Sequence, residues 1–555
     1  MGNKHNRRIN SVYFIFVFLF LVISVKIIYL QAFRSKFFKN LAKNQHYRIL
    51  RFEGGRGDIL DRRRRILATS ISCYSIFVDP SLVCNLQKIA QQLSSVLSIP
   101  EKDISKKIKG GKRFVWVKRK ISFADKEKIK LLNLKGVGIL KERKRFYPQA
   151  ELAAATLGIV GIDNKGLEGL ELQYNDYLRG KDGWVKVLQD SVPQDIALSS
   201  QIITPQEGAD LILTIDAQIQ YWAENYLKDS VEKFKAQRGS VVIMDAYSGG
   251  ILALANYPGF DPNDSGSFSA ENIRNNAVCD MFEPGSVFKE VALLAAISSN
   301  SFSDNELIFC ENGKFKIPGM VLHDYKPYGD LTFKEVFIKS SNIGVAKVIS
   351  RVGANNYYQF IKRLGFGELS GIDFPGEAKG LVKPYRLWSK TSEFIIPMGQ
   401  EIAVNIIQLA RSFSVVANGG YLVKPHIVKS ICSYDFCEDI PLRRKKIFSQ
   451  DVIEKAKNIL IEAVEKGTGK KAGVEKRIIG GKTGTAQKFD SKIGKYSSSK
   501  YRANFVGFIE DIDPPLVIAV SVDEPRKSHF GGVVAAPVFK NISQKIIPYI
   551  EGESS

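Results

Sequence analysis

A fully apolar segment, Val291 to Ile297, restricts the fold of this chain more than any other feature. Because none of its positions is polar, it is typical of a helix that other elements bury on every side. The chain breaks just before it, at Pro284 and Gly285, and such a break favours a helix start. Ser286 is therefore predicted in the first turn of a buried helix, with Lys289 one turn later on the same face.

The spacing of Ser286 and Lys289 indicates a nucleophile and its base. A serine hydroxyl is a poor nucleophile unless a base lies within hydrogen-bond reach. A partly desolvated lysine loses its proton more readily than an exposed one, and can then serve as that base. Four-residue patterns also arise by chance in chains of this length, so this pattern needs support from other segments.

Two downstream motifs supply that support. Ser340-Ser341-Asn342 precedes a helical run of small residues, Ile343 to Ile349. Lys482-Thr483-Gly484-Thr485 lies in a strand-like segment near the C-terminus. Ser-x-x-Lys, Ser-x-Asn and Lys-Thr-Gly, in that order, form the motif set of penicillin-binding proteins and serine β-lactamases, which acylate a serine.

Length and composition limit the possible partners. A chain of 555 residues predicts two or three domains. Its formal charge of +23 indicates an anionic partner or a lysine-rich composition without functional meaning. The basic residues form no nucleic-acid-binding motif, so nucleic acid is not a predicted partner. Five histidines without a His-Glu-x-x-His pattern predict no metal site, and no cofactor is predicted.

A stretch of 19 residues, Val12 to Leu30, predicts a membrane anchor. As a helix it would be about 28 Å long, close to the ~30 Å of a bilayer core. It exceeds a typical signal-peptide core, and no small-residue cleavage site follows it, so an uncleaved span is favoured over a signal peptide. Lys4, Arg7 and Arg8 precede it and favour a cytoplasmic N-terminus.

The next motif is Arg56-Gly57-Asp58-Ile59-Leu60-Asp61-Arg62, which resembles the signature that opens the non-catalytic domain of class B penicillin-binding proteins. That family usually continues with Asn-Gly, where this chain has Arg63 and Arg64. If the glycine supports a tight turn, these arginines call the local turn geometry into question. Glu168 and Glu171 are predicted to form structural salt links with the region of Arg56 and Arg62.

Periodicity and turn residues predict the remaining elements. Residues 183–208 are expected to form a polar connector, and a sheet with helices on both sides is the expected layer arrangement. The predicted elements are helices at Leu86–Leu97, Ala124–Leu132 and Ala217–Lys235, a hairpin over Gly239–Tyr257, strands at Leu211–Ile215, Ile478–Gln487, Asn504–Ile509 and Leu516–Val522, and a helix at Phe539–Ile547 that Pro548 stops.

These motifs cover nearly the whole chain, which resembles a monofunctional class B penicillin-binding protein. The resemblance implies an α/β fold with α+β layers, in which a single anchor and an elongated pedestal domain precede a transpeptidase domain like that of serine β-lactamases. The expected domains are a tail and anchor at 1–35, the pedestal at 36–205 and the transpeptidase domain at 206–555. The compact C-terminus looks most like the septal, division-specific branch; the elongation branch is the alternative.

The resemblance also implies a role for each catalytic residue. Ser286 would attack the carbonyl between the two terminal D-alanines of a stem peptide, with Lys289 as base, and form an acyl-enzyme. Ser340 would relay protons to the leaving amine, and Asn342 would hold the backbone amide of the substrate. A second stem's amine would then resolve the acyl-enzyme and complete a cross-link.

The Lys-Thr-Gly segment is implied to bind the substrate carboxylate. Lys482 would add positive charge there, Thr483 and Thr485 would offer hydroxyl donors, and Gly484 belongs to the same binding strand. Backbone N–H groups of Ser286 and Thr485 would form an oxyanion hole.

The implied partners are stem peptides ending in D-Ala-D-Ala, β-lactam antibiotics, a membrane glycan polymerase and division (divisome) proteins. The implied location is the bacterial cytoplasmic (inner) membrane, with one span and the catalytic domain on the periplasmic, extracytoplasmic side. Cys432 and Cys437 could bridge a small loop in an exported domain, but the sequence leaves their pairing open.

Two further departures from the family pattern, beside Arg63-Arg64, keep other functions open. Glu401 replaces a glycine and stands four residues before Asn405, the spacing of the deacylating element of class A β-lactamases. Glu290 replaces the usual proline after Lys289 and would hinder its use as a base if the side chains met, although adjacent helix residues point in different directions. The alternatives are a β-lactamase-type hydrolase and a catalytically weak divisome scaffold.

Overall fold

The computed structural model of the chain describes residues 2–38, 47–111, 114–188, 198–434, 436–490 and 494–554. Within these ranges the backbone forms two compact units. One comprises Met1–Gly55 and Gly180–Glu207, and the other Arg56–Arg179 and Gly208–Ser555. The chain thus leaves the first unit after Gly55, returns to it for Gly180–Glu207 and then completes the second unit.

The first unit contains an N-terminal helix and a small sheet. The helix, Gly2–Ala32, includes the predicted anchor, and its Asn6–Ala32 portion is long and apolar enough to cross a membrane. The strands Tyr47–Phe52, Gly183–Leu188 and Leu198–Ile203 form an antiparallel sheet with Gly183–Leu188 in the middle. The polar connector predicted at 183–208 was therefore wrong. Strand Gly183–Leu188 pairs with Tyr47–Phe52, about 135 residues earlier, and Leu198–Ile203 pairs with Gly183–Leu188. Local periodicity does not reveal such a long-range contact.

The second unit is organised around a five-stranded antiparallel sheet. In spatial order its strands are Ile251–Tyr257, Arg238–Asp245, Leu516–Asp523, Lys495–Ile509 and Ile479–Asp490. Both faces are covered, because alternate side chains of a strand enter different cores: Val241 and Ile243 join one, and Val242 and Met244 the other. The predicted hairpin over Gly239–Tyr257 and the C-terminal strands are confirmed.

Helices Ala217–Phe234 and Ala536–Ser554 pack with the Val241 side of this sheet. The apolar helix Lys289–Ser298 lies in the larger core on the other side. The other α-helices after residue 208 are Ala270–Ile273, Asn276–Cys279, Phe333–Ile338, Asn342–Val352, Ala354–Arg363, Ser392–Ile395, Ile406–Ala417, Gln450–Glu465 and Gly531–Val534, and short helices earlier in the unit are Ala154–Leu157, Gly169–Gln173 and Asn175–Leu178. Short paired strands flank them at Leu307–Phe309, Lys314–Ile317, Met320–His323, Asp330–Thr332, Tyr421–Val423 and Arg444–Lys446.

The C-terminal helix differs from its prediction, because it runs through Pro548 to Ser554 instead of ending before the proline. An interior proline typically costs a helix about 3 kcal/mol. Here the turns around it are held by packing, since Ile546, Ile547 and Ile550 are buried, and by the Tyr549 hydroxyl, which donates to Asp216 at 3.1 Å.

A lobe of three helices on a three-stranded sheet precedes the catalytic region. Strand Ile66–Val78 lies between Val115–Ile121 and Val137–Phe146. Helices Leu86–Leu97, Glu101–Lys109 and Phe123–Leu131 share its core. The two helices predicted here are confirmed. Their first turns are capped by the side chains of Asn85 and Ser122.

Short strands connect this lobe to the rest of the unit. Ile59–Leu60 pairs with Ile66–Val78 and runs parallel to Asp210–Leu213, which in turn pairs with Val428–Ser433. A disulfide joins Cys432 to Cys437 across the hairpin formed by Val428–Ser433 and Phe436–Asp439. The pairing that the sequence left open is thus present.

A buried ion-pair network holds the signature motif. Glu171 accepts from Arg56 Nε at 2.5 Å and from Arg145 Nε at 2.6 Å, and its side chain is fully buried. The predicted salt link between Glu171 and Arg56 is confirmed, whereas Arg145 was not anticipated as its second partner. Arg145 also donates to the carbonyl of Gly57 at 2.7 Å, so the network fixes the backbone of the motif.

The turn after the motif is retained without the family's glycine. Arg64 adopts a left-handed φ of 62°, and its N–H donates to the carbonyl of Asp61 at 2.9 Å. Arg63 lies 3.3 Å from Asp216 and stacks 4.4 Å from the centre of the Tyr549 ring. Arg63 thus contributes a contact to the C-terminal helix, while Arg64 holds a backbone conformation that suits glycine.

Replacement of Arg64 by glycine is expected to stabilise the protein by about 0.5–1 kcal/mol. The stability increases because glycine relieves the strain that a non-glycine residue has in the left-handed conformation. Part of this gain is lost because glycine also makes the unfolded chain more flexible. A higher thermal unfolding midpoint of the full-length protein would show it. Arg64→Ala is the control, because it removes the charge and keeps the Cβ that causes the strain; an equal gain in both variants would contradict the explanation.

Candidate active site

The nucleophile candidate lies on a tight turn at the start of the apolar helix. Ser286 is part of the 3-10 turn Gly285–Phe288, and the α-helix begins only at Lys289, three residues later than predicted. Gly285 has a φ of 60°, and a Cβ there would come within 2.8 Å of the Thr485 carbonyl oxygen. Only glycine lets the turn approach the Lys-Thr-Gly strand so closely, which brings Ser286 beside Thr485.

Lys289 is fully buried and is oriented by the Ser-x-Asn motif. Its Nζ donates to the Ser340 carbonyl at 2.7 Å, to Asn342 Oδ1 at 2.7 Å and to Ser340 Oγ at 3.2 Å. Burial lowers the pKa of Lys289 to about 7, and the negative charge of Asp324 opposes that shift. In the described part of the chain no hydrogen bond joins Lys289 to Ser286. A large fraction of the lysine is thus neutral at physiological pH and able to accept a proton.

Ser340 lies between two buried lysines. Its Oγ accepts from Lys482 Nζ at 2.8 Å as well as from Lys289 Nζ at 3.2 Å. Burial, and then the positive charge of Lys289, hold the pKa of Lys482 well below its ordinary value. Two ammonium groups around one hydroxyl repel each other, so the pair favours losing a proton. Ser340 also has a left-handed φ of 60°, a strained conformation that is typical of functional sites.

The Lys-Thr-Gly segment lies on the edge strand Ile479–Asp490. A Cβ at Gly484 would come within 2.7 Å of the Pro284 carbonyl, which explains the glycine beside the nucleophile turn. The hydroxyls of Thr483 and Thr468 are 2.6 Å apart, and Thr485 Oγ1 accepts from the Gly531 N–H at 3.1 Å. Contacts between the three motif segments thus place all eight candidate residues in one region of the structure.

Sequence reasoning missed Asp324, which positions the Ser-x-Asn motif. Its Oδ2 accepts from Ser341 Oγ at 2.6 Å, and its Oδ1 accepts from the N–H groups of Asn342 and Ile343. A carboxylate at these free N–H groups is favoured by the dipole of helix Asn342–Val352. Asp324 lies in a loop 18 residues before Asn342, and no local pattern marks it.

Replacement of Asp324 by alanine is expected to lower the rate of acylation by a β-lactam about 10- to 100-fold. Loss of the carboxylate frees the start of the helix and displaces Asn342 and Ser340 from Lys289, and small displacements of this kind are costly in catalysis. The rate constant for labelling by a fluorescent penicillin measures it. Asp330→Ala removes an exposed carboxylate from the same segment and should leave the rate unchanged; an equal effect of both would contradict a positioning role.

The possible deacylating pair does not form one group. Glu401 accepts from the Ser392 hydroxyl at 2.6 Å, and its N–H donates to Glu283 Oε1 at 3.0 Å. Asn405 instead forms a capping box with Gln408 at the start of helix Ile406–Ala417. Glu401 has a left-handed φ of 56°, as expected where the family has glycine. This geometry gives the β-lactamase alternative no support, because Asn405 is engaged in a helix cap.

Comparison with known proteins agrees with the fold. Residues 239–544 match the penicillin binding protein transpeptidase domain, and residues 51–213 match the penicillin-binding protein dimerisation domain. The first match covers more than half of the chain. The chain therefore belongs to the penicillin-binding protein transpeptidase family.

Individual relatives extend over almost the whole sequence. The chain is 34% identical over 544 residues to the probable peptidoglycan D,D-transpeptidase PenA of Neisseria gonorrhoeae, covering 97% of this chain and 92% of that protein. It is 30% identical over 558 residues to peptidoglycan D,D-transpeptidase FtsI of Buchnera aphidicola, covering 98% and 95%. Penicillin binding protein 3 of Mycobacterium tuberculosis, solved with aztreonam, superposes with a TM-score of 0.72 at 27% identity, covering 90% and 97%.

Proposed function

We propose that this chain is a septal peptidoglycan D,D-transpeptidase that uses Ser286 as its nucleophile and Lys289 as its base. As a member of this family it is a serine-type D-Ala-D-Ala transpeptidase that cross-links stem peptides and binds penicillins. One observation carries the assignment of roles: Lys289 is wholly buried, free to lose its proton near neutral pH, and held by Ser340 and Asn342 beside the serine turn.

In the proposed acylation, Ser286 Oγ attacks the carbonyl between the two D-alanines while Lys289 Nζ takes its proton. Backbone N–H groups of Ser286 and Thr485 stabilise the oxyanion, and losing one such donor typically costs about 3 kcal/mol. Ser340, which contacts both Lys289 and Lys482, passes a proton to the leaving amine, and D-alanine departs. The amine of a second stem then attacks the acyl-serine, releases Ser286 and forms the cross-link.

In the same scheme the remaining motif residues bind the donor peptide. Asn342 holds its backbone amide, and Lys482 attracts its terminal carboxylate. Thr483 and Thr485, on either side of Gly484, donate hydroxyl hydrogen bonds to that carboxylate. These roles use groups that already lie next to the nucleophile turn and the Ser-x-Asn motif, since Thr485 lies beside Gly285 and Lys482 contacts Ser340.

For its cellular setting, we infer a single membrane span with the N-terminus in the cytoplasm and the catalytic domain outside. Lys4, Arg7 and Arg8 before the span support this orientation. Residues 36–205 act as the pedestal and 206–555 as the transpeptidase domain, and a membrane glycan polymerase and division proteins bind through the anchor and pedestal. Relatives named FtsI and stage V sporulation protein D favour the septal branch over the elongation branch.

Intact-mass spectrometry tests the catalytic assignment. Detergent-solubilised full-length protein and a Ser286→Ala variant are incubated with benzylpenicillin and followed over hours. A single persistent adduct on the wild type alone is the expected result. Rapid loss of the adduct with hydrolysis of the drug would favour a β-lactamase, and the absence of any adduct would favour the scaffold alternative.

A further inference from the structure

Glu290 follows Lys289 directly, yet its side chain belongs to a different part of the core. It is 2% exposed, and its Oε2 accepts from the Ser412 hydroxyl at 2.7 Å. Ser412 lies on helix Ile406–Ala417, so this bond joins that helix to the one that begins at Lys289. The charge that raises the pKa of Lys289 against the effect of burial is that of Asp324 and not that of Glu290. This is expected because Lys289 and Glu290 are adjacent helix residues, whose side chains point in different directions.

Two buried polar atoms in this region have no hydrogen-bond partner among the described residues. One is Glu290 Oε1, and the other is the hydroxyl oxygen of Tyr357, whose side chain is fully buried on helix Ala354–Arg363. The two groups are close enough for Glu290 to affect the phenol electrostatically. An unsatisfied buried polar atom typically costs about 1–3 kcal/mol, so this pair requires an explanation.

The charge of Glu290 is also uncompensated. A carboxylate in the interior is tolerated when a cation or several donors surround it. Here the Ser412 hydroxyl is its single donor, and no ion pair to Glu290 occurs in the described ranges. Burial raises the pKa of Glu290 to about 7, and the Ser412 hydrogen bond only partly opposes this. A protonated acid removes the charge and gains a donor.

We propose that Glu290 is held as a neutral carboxylic acid that connects three helices and positions Lys289 for catalysis. Ser412 donates to Oε2, and the acid proton on Oε1 reaches the Tyr357 hydroxyl through one bridging water. Tyr357 is the titratable group that faces this carboxyl, and burial holds its pKa well above its ordinary value, so it stays neutral. Ionisation of Glu290 then places a charge in the core and loosens the helix start that carries the lysine.

This inference rests on the proposed roles of Ser286 and Lys289, and the pH profile of acylation tests it. Rate constants for a fluorescent penicillin are measured on full-length protein from about pH 5.5 to 9.5. The wild-type rate is expected to fall tenfold or more between about pH 7 and 9, as Glu290 ionises. In Glu290→Gln, a neutral isostere, the acylation rate is expected to rise with pH up to about 7, as in the wild type, and then not to fall at higher pH. Glu465→Gln, at an exposed glutamate, should match the wild type.

A second variant and a second readout separate the possible failures. Ser412→Ala removes the hydrogen bond that favours the ionised form, so the descending limb should move to higher pH. The proposal would be overturned if wild type and Glu290→Gln had the same pH profile of acylation. It would also be overturned if the descending limb of that profile did not move in Ser412→Ala. Either result would leave the proposed function intact.

The thermal unfolding midpoint gives a test that needs no catalysis. Because folding raises the pKa of Glu290, its contribution to stability is complete below the unfolded pKa and is lost as pH rises through about 7. The thermal unfolding midpoint of Glu290→Gln should therefore rise relative to that of the wild type as the pH increases from about 5 to 8. A constant difference would refute the neutral acid even if no variant acylated, whereas absent acylation counts against the proposed function.

Discussion

Replacement of Lys289 by methionine is expected to slow acylation by benzylpenicillin about 100- to 10,000-fold while the protein stays folded. General-base catalysis typically contributes rate factors of this size. Methionine fills a similar volume without a polar atom, so the buried site remains packed. Stopped-flow labelling or intact-mass time courses measure the loss, and the thermal unfolding midpoint reports on folding.

The pH dependence of acylation by the wild type provides a second test of Lys289 as the base. Since burial lowers the pKa of Lys289 to about 7, the neutral amine that accepts the proton becomes more abundant as pH rises through 7. Acylation should therefore fall about tenfold for each pH unit below 7. Lys339→Met is the matched control, because Lys339 precedes Ser340 but is paired with Glu335 near the surface. Acylation of Lys289→Met at the wild-type rate would show that another group is the base.

Replacement of Glu171 by alanine is expected to destabilise the protein by about 3–5 kcal/mol. It removes the carboxylate shared by Arg56 and Arg145, and leaves two buried guanidinium groups without their counter-ion. The expected observation is a large drop in the thermal unfolding midpoint, with loss of the signature motif's rigidity. Glu168→Ala provides the control, because Glu168 is exposed and only three residues away. A similar drop in both variants would contradict the role of the network.

Local patterns in the sequence identified the catalytic motifs and many elements around them. The run from Val291 to Ile297 required a buried helix, and short, mostly apolar runs together with turn residues indicated the strands of the main sheet. Helix Leu86–Leu97 was predicted with its observed bounds because its amphipathic spacing and the Asn85 cap are local. These features depend on residues a few positions apart, which is the range that periodicity covers.

Long-range packing corrected two of those predictions. Strand Gly183–Leu188 forms because it pairs with Tyr47–Phe52 and with Leu198–Ile203. The C-terminal helix continues past Pro548 because its neighbours are buried and Tyr549 donates a hydrogen bond to Asp216. Arg64 and Glu401 keep the backbone conformations of the glycines they replace. In each case tertiary contacts outweigh a local preference of one to a few kcal/mol.

The sequence by itself determined the family, the membrane anchor and the three motifs, because residue type and order along the chain carry those signals. Only the tertiary structure decided that Lys289 is oriented by Ser340 and Asn342, that Asp324 holds the start of helix Asn342–Val352, and that Glu290 bonds Ser412. Those contacts join residues 17 to 122 positions apart. Their energies come from burial and hydrogen-bond geometry, which exist only once the chain has folded.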